Sequence, residues 1–252
     1  MAPDGHDRTP QAGRPPGLSA AFAGPHAWCN EKMVLSEDLS DGMPLPEFFG
    51  SAAFDLAIST YAETSGGTDR RAVASMWSLY YFSYLTIPYV VARVLENQVL
   101  PVDFEEMTVA LSADGLPRGF GVATSGDRPI DSGEEIFALL APLMEAHLSK
   151  VVAHLKSSGG ISPKLSWNNA AVYIDHALRT AGAAPLADQA DSMIALRLMP
   201  DGTPNPFFDC LRYEEEEDGA RVCRRKICCL RYLLPGVPSC GSLCALPSQR
   251  KQ

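Results

Sequence analysis

Residues 72–92 read AVASMWSLYYFSYLTIPYVVA, 21 residues without a charge, and their reading decides the fold. Length alone allows a membrane span, which needs about 20 apolar residues. The content argues otherwise. Ser75, Ser78, Ser83, Thr86 and Pro88 interrupt the stretch, and Tyr80, Tyr81, Tyr84 and Tyr89 are spread along it. A lipid interface gathers tyrosines at the ends of a span. The stretch is therefore predicted as a buried core helix. Thr68 or Asp69 is its N-cap, it runs to about Asn97, and Pro88 bends it.

The segments on either side follow the same logic. LPEFFGSAAFDLAISTYAET (45–64) places Phe49, Ala53, Leu56 and Ile58 at helical spacing. MTVALSADGLPRGFGVAT (107–124) has two alternating runs around Asp114-Gly115, a hairpin signal. Residues 133–157 return to helical period, with Pro142 as a possible divide. LSWNNAAVYIDHALRTAG (165–182) reads as a helix with Ser166 as N-cap and Gly182 as its stop, and a shorter helix fits 185–199. FFDCLRYEEEEDGARVCRRKICC (207–229) reads as a second hairpin around Asp218-Gly219. A two-residue turn there sets Glu216 opposite Arg221 and Tyr213 opposite Arg224 and runs the second strand into Cys228 and Cys229. The run Glu214–Glu217 reads as a solvated hairpin tip. The predicted fold is α+β and mainly helical, with two β-hairpins and a C-terminal cysteine-rich, cluster-binding segment. Its expected parts are a disordered tail over 1–25, a mainly helical domain over 26–205, and a hairpin plus cysteine segment over 206–252.

Composition narrows the partners. A net charge of −9 argues against nucleic acid, because phosphate binding wants a basic face. The start, MAPDGHDRTPQAGRPPGLSA, has no apolar signal region. The expectation is a cytoplasmic protein with reduced thiols, with peripheral contact to the inner face of the membrane left open.

The thiols are the chemical signal. Of seven cysteines, Cys228, Cys229, Cys240 and Cys244 fall in KICCLRYLLPGVPSCGSLCALP, residues 226–247. Cys29, Cys210 and Cys223 are scattered, as small buried hydrophobes are. Clustered cysteines in a reducing compartment point to metal rather than disulfide. Zinc sites favour Cys-x2–4-Cys knuckles. Cys240 and Cys244 form one, but adjacent residues of an extended chain point to opposite sides, which handicaps Cys228 and Cys229. A binuclear cluster offers two separate iron positions, and four thiolates are the full ligand set of a 2Fe–2S centre. Gly241 permits close backbone approach. Spacing favours iron–sulfur while leaving a zinc-stapled partner-binding module as the alternative.

RRKICCLRYLLPGVPSCGSLC resembles the C-terminal signature of the FhuF-type ferric siderophore reductases, Cys-Cys-x10-Cys-x2-Cys. Lys164, Trp167 and Asn169 are similar to that family's Lys-x-x-Trp-Ser-Asn stretch, and PNPFF (204–208) resembles the segment before its final hairpin. The last pair departs from the pattern: three residues separate Cys240 from Cys244. The resemblance implies a 2Fe–2S cluster on Cys228, Cys229, Cys240 and Cys244. It also implies one-electron reduction of a ferric siderophore, releasing Fe(II) for iron assimilation. No dinucleotide fingerprint or P-loop is present, so an external donor is expected, a ferredoxin-like protein or a flavoprotein. Arg224, Arg225, Lys226 and Arg231 surround the double cysteine and are candidates for docking an anionic siderophore or the donor. Against this stands a solvated strand face paired with the glutamates. Trp167 and Asn169 are candidates for the siderophore site, weighed against a core tryptophan and a helix-capping asparagine. No catalytic residue beyond the cluster is expected.

Overall fold

The computed structural model describes residues 17–129, 135–182, 184–216, 219 and 221–250. It is 52% helical, with two small sheets. In chain order come α1 (Cys29–Lys32), β1 (Met33–Leu35), β2 (Met43–Pro44), α2 (Leu45–Gly50), α3 (Ala52–Ser65) and α4 (Arg70–Glu96). Then follow β3 (Thr108–Leu111), β4 (Pro117–Val122), α5 (Ile136–Leu143), α6 (Ser149–Ser157), α7 (Pro163–Ala181), α8 (Ala184–Ala195), β5 (Leu211–Glu215) and β6 (Arg221–Arg225).

Helix α4 is the axis. The Asp69 side chain accepts from the Arg71 N–H and caps it, and Asn97, in the left-handed region at φ 49°, ends it. Nearly every residue from Ala72 to Arg93 is buried, so its uncharged length faces protein. Pro88 sits inside the helix without ending it. Trp77 is fully buried, stacks 5.8 Å from Phe48 and meets Phe54 edge-on at 5.4 Å. Its indole N–H donates to the Gly115 carbonyl at 2.9 Å, which ties the β3–β4 turn to α4. Gly115 has φ +81°, and a Cβ there would lie 2.4 Å from the Ala57 carbonyl oxygen, so glycine is required. The other flank of α4 packs chiefly against α7. Among the described residues one helical stretch, Ile136–Ser157, is long and apolar enough to cross a membrane, with 56% of that window buried in the fold.

Several expectations need correction. Residues 1–16 of the expected tail lie outside the described residues, but Ser19, Ala21 and Phe22 are buried, so the tail boundary at 25 is too late. The 45–64 helix is two helices, broken at the extended Ser51, which caps α3, and Leu56 is exposed. The first hairpin is the middle of a four-stranded sheet in the order β1-β4-β3-β2, with β1 parallel to β4. Its outer strands are two and three residues long, too short for period-2 patterning to show. After Pro142 the helix continues through a π turn, Met144–Leu148, into α6. The α7 cap is Ser162, which accepts from the Leu165 N–H with Pro163 following. Ser166 is fully buried inside the helix.

The second hairpin pairs Glu215 with Arg221 and Tyr213 with Cys223. The expected register was off by one residue, which exchanges the two faces. The chain between β5 and β6 is five residues long (216–220) rather than two. Asp218, half of the expected turn, lies outside the described residues.

Candidate metal centre

The expected strand into the cysteines stops short. β6 ends at Arg225, three residues before Cys228. The Lys226 N–H closes this exit on the Cys210 carbonyl at 3.0 Å. Leu230 then adopts the left-handed conformation at φ 65°, costly for a residue with a Cβ, and turns the chain into a short 3-10 turn, Arg231–Leu233. The return loop sits on the end of α3. The Gly236 N–H donates to the Ser65 carbonyl at 2.9 Å, and a Cβ at Gly236 would lie 2.9 Å from the Thr64 carbonyl oxygen. Gly241, at φ +53°, begins the turn into Cys244 with open space where a Cβ would stand. Its glycine serves the backbone angle rather than close approach. Arg224 clasps this loop to the hairpin, donating to the Ser242 carbonyl, to Glu214 at 3.1 Å and to Glu216 at 2.6 Å.

The result brings the four predicted thiols together. Cys228, Cys229, Cys240 and Cys244 line one pocket of about 320 Å³ whose walls contain no carboxylate or imidazole. The Cys229 and Cys240 sulfurs are 3.5 Å apart. Cys229 and Cys244 are buried, while Cys228 and Cys240 are half-buried. Since Cys228 and Cys229 lie past the strand and share a pocket, strand alternation does not separate them. That removes the geometric objection to a single ion. Yet among the described residues no three His, Cys, Asp or Glu side chains form a ready single-ion site.

Fixed dipoles point at the sulfurs. The Leu230 N–H donates to Cys228 Sγ at 3.4 Å, and the Arg231 N–H reaches Cys229. Two successive N–H groups around a left-handed residue make an anion-binding concavity. The Cys229 thiol is held well below the usual range, first by the hydrogen bond from Cys240 and then by the charges of Arg225 and Arg231. Cys240 is pushed up as the donor of that bond. Burial raises Cys228, partly offset by the Leu230 N–H. The remaining thiols differ. Burial pushes Cys29 up to about 12 and Cys223 up to about 11, and it also raises Cys210. These are protonated thiols, poor ligands and poor nucleophiles. An all-thiol pocket with N–H donors fits a soft metal or an iron–sulfur group by donor chemistry.

The predicted docking groups divide. Arg225 is 2% exposed and Arg224 is 6% exposed; neither is on a docking surface, because Arg225 is held by the α7 asparagines and Arg224 by Glu214, Glu216 and the Ser242 carbonyl. Lys226 is partly exposed and pairs with Asp209 at 2.9 Å. Arg231 lines the cysteine pocket and donates to the Ser239 carbonyl at 3.3 Å. Asn169 is fully buried within α7, so it neither caps a helix nor reaches a surface. Half-buried Trp167 meets Phe207 edge-on at 5.2 Å.

The Lys164-to-Asn169 stretch is a clasp. Lys164 donates to the Phe208 carbonyl and Asn168 to the Cys210 carbonyl. Asn169 takes a guanidinium N–H of Arg225 at 2.7 Å. In PNPFF, Asn205 donates to the Met193 and Leu196 carbonyls at 2.7 Å each and so closes the end of α8. Sequence reading missed Ser75, Ser78 and Asn168. The available signal was polar residues spaced three apart inside an apolar helix, and the doubled asparagine.

Fold and pocket together define a helical α+β protein with a C-terminal all-thiol pocket clasped to its core. The chain belongs to the family described as "Ferric iron reductase FhuF-like transporter", whose model matches residues 75–221, more than half of the chain. That match runs from Ser75 on α4 to Arg221 at the start of β6, and ends before Cys228. A curated relative, "Ferric siderophore reductase" of Escherichia coli (strain K12), is 25% identical over 177 residues, 69% of this chain. The chain spans 65% of that relative's length.

Proposed function

We propose that this chain reduces ferric iron held by a siderophore, with a 2Fe–2S cluster carried on Cys228, Cys229, Cys240 and Cys244. Family membership and the name of the relative support the reductase part. The observation that carries the cluster part is the single pocket lined by four thiols and, among the described residues, by no carboxylate or imidazole. When bound, the cluster would supply electrons one at a time, taken from an external ferredoxin-like protein or flavoprotein.

The chemistry asked of the protein is modest. Siderophore oxygens are hard ligands suited to Fe(III) and hold Fe(II) far less tightly, so adding one electron releases the metal. No proton shuttle or nucleophile is required. The chain's own residues set the conditions. Cys229 is already biased toward thiolate. The Leu230 and Arg231 N–H groups stabilise charge on the sulfurs. Arg231 and Tyr232, which is 52% exposed, stand at the pocket, where an anionic substrate or the electron donor would meet it.

The test is a single turnover. Anaerobic, dithionite-reduced protein, freed of excess reductant, is mixed with a ferric hydroxamate and a colorimetric Fe(II) chelator. About one Fe(II) per chain is expected, at a rate at least tenfold above that of Cys240→Ser. Equal rates for the two proteins refute the proposal.

A further inference from the structure

Three consecutive basic residues leave the second hairpin in three different states. Arg224 is paired with Glu214 and Glu216. Lys226 is paired with Asp209. Arg225 lies between them, 2% exposed, with no carboxylate partner among the described residues. Its Nη1 donates to two neutral oxygens, Asn169 Oδ1 at 2.7 Å and Asn168 Oδ1 at 3.2 Å. Its Nε is buried without a partner among the described residues.

A buried, uncompensated charge is among the most expensive features a fold can hold. Lysine or histidine escapes by losing its proton, but a guanidinium does not. Negative charge must therefore come from the surroundings. Arg225 stands three residues before Cys228, and the hydrogen bonds around it reach the Cys229 backbone.

The arrangement around Arg225 is built. The Asn169 amide donates to the Ser75 carbonyl at 3.1 Å and to Ser78 Oγ at 2.9 Å. The Ser75 carbonyl can only accept, which fixes the amide so that its oxygen faces the guanidinium. Ser75 Oγ in turn donates to the Cys229 carbonyl at 2.9 Å. One network thus spans α4, α7, the guanidinium and the backbone of Cys229, and fixes a positive charge on the protein side of the cysteine segment.

We propose that Arg225 is a positioning residue: a buried counter-charge, held by Asn168 and Asn169, for an anionic metal–thiolate group on Cys228 and Cys229, whose reduction potential it raises. The inference rests on the cluster reading above. Reduction adds one negative charge, and a fixed cation favours the more negative state. The same charge holds the group in place while leaving the outer face of the pocket to substrate and donor.

The experiment is a spectroelectrochemical titration of the anaerobic, cluster-loaded protein, read by visible absorption rather than turnover. Arg225→Gln removes the charge. Asn168→Asp keeps the arginine but gives it an internal carboxylate, and serves if the first variant does not fold. Arg212→Gln, on the exposed face of β5, is the control. Arg225→Gln and Asn168→Asp should each shift the reduction equilibrium at least tenfold toward the oxidised form, about 59 mV for one electron. Arg212→Gln should stay within about threefold of the unsubstituted protein. Unchanged potentials in both charge-altering variants overturn the proposal. An equal shift in Arg212→Gln also overturns it, because the effect would then not belong to the buried charge. Unsubstituted protein that binds no iron–sulfur cluster refutes the cluster reading first, an outcome distinct from the other two.

Discussion

Two buried polar centres hang from the same helix, six residues apart, and they are built to opposite rules. At Tyr81 the centre is neutral and complete. The His147 ring is fully buried, its Nδ1–H donates to the Val102 carbonyl at 3.0 Å, and its Nε2 accepts from the Tyr81 hydroxyl at 2.7 Å. Because the carbonyl can only accept, the tautomer is set, and no valence of the ring is left over. At Ser75 the centre is charged and incomplete. Asn169 and Ser75 satisfy each other, but Arg225 retains a bare Nε and has no carboxylate partner among the described residues. The first centre closes the core. The second is tied to the cysteine segment through Ser75 Oγ on the Cys229 carbonyl. Other buried polar atoms among the described residues also lack partners, Tyr61 OH and Gln98 Oε1 among them, but Arg225 differs from those in carrying a fixed charge.

The largest effect should separate the two sets of cysteines. Cys240→Ser should lower bound iron from about two per chain to below one, whereas Cys210→Ser, outside the pocket, should leave it unchanged. Iron analysis of anaerobically purified variants reads this directly, and equal losses would break the distinction.

Next comes acid sensitivity of the neutral centre. Burial pushes His147 down to about 4 from an ordinary 6.5. Its neutral form is the folded form, so its contribution to stability is complete above pH 6.5 and is lost as pH falls toward 4. The loss is on the order of 3 kcal/mol. Urea unfolding from pH 7 to pH 4 should show it, and His147→Gln should flatten the slope over that window. A slope unaltered by the substitution would mean that the ring is not held neutral.

Smaller still is Tyr81→Phe, which strands the His147 Nε2 and should cost about 1–3 kcal/mol at pH 7 with no change in iron content. Last, Ser162→Ala removes the α7 cap and should cost about 1 kcal/mol, read from the urea midpoint. If it also released iron, the α7 clasp on the cysteine segment would be looser than the geometry implies.

Legibility followed chemistry more than chain order. The α4 helix was readable end to end because an uncharged run with internal tyrosines and an Asp69 cap permits few alternatives. The four cysteines were readable because free thiols seldom cluster. The β5–β6 register was not, since the acidic run hides where the strand ends and a five-residue connection mimics a two-residue one. The burial of Arg224 and Arg225 was also hidden. Three consecutive basic residues look like a solvated face, and only the tertiary positions of Glu214, Asn168 and Asn169 separate a surface charge from a buried one. Ser166 masked Ser162 as the cap because both precede the helical pattern, although Pro163 directly after Ser162 favours a helix start there.

The central claim is that the thiol pocket carries a 2Fe–2S group. The most direct measurement is the visible and electron paramagnetic resonance spectrum of anaerobically purified, cluster-reconstituted protein, with iron, sulfide and zinc analysis of the same sample. The account predicts a red-brown protein with about two irons and two sulfides per chain, bleached by dithionite as a paramagnetic signal grows in. A colourless protein with one zinc per chain and no such signal would contradict it.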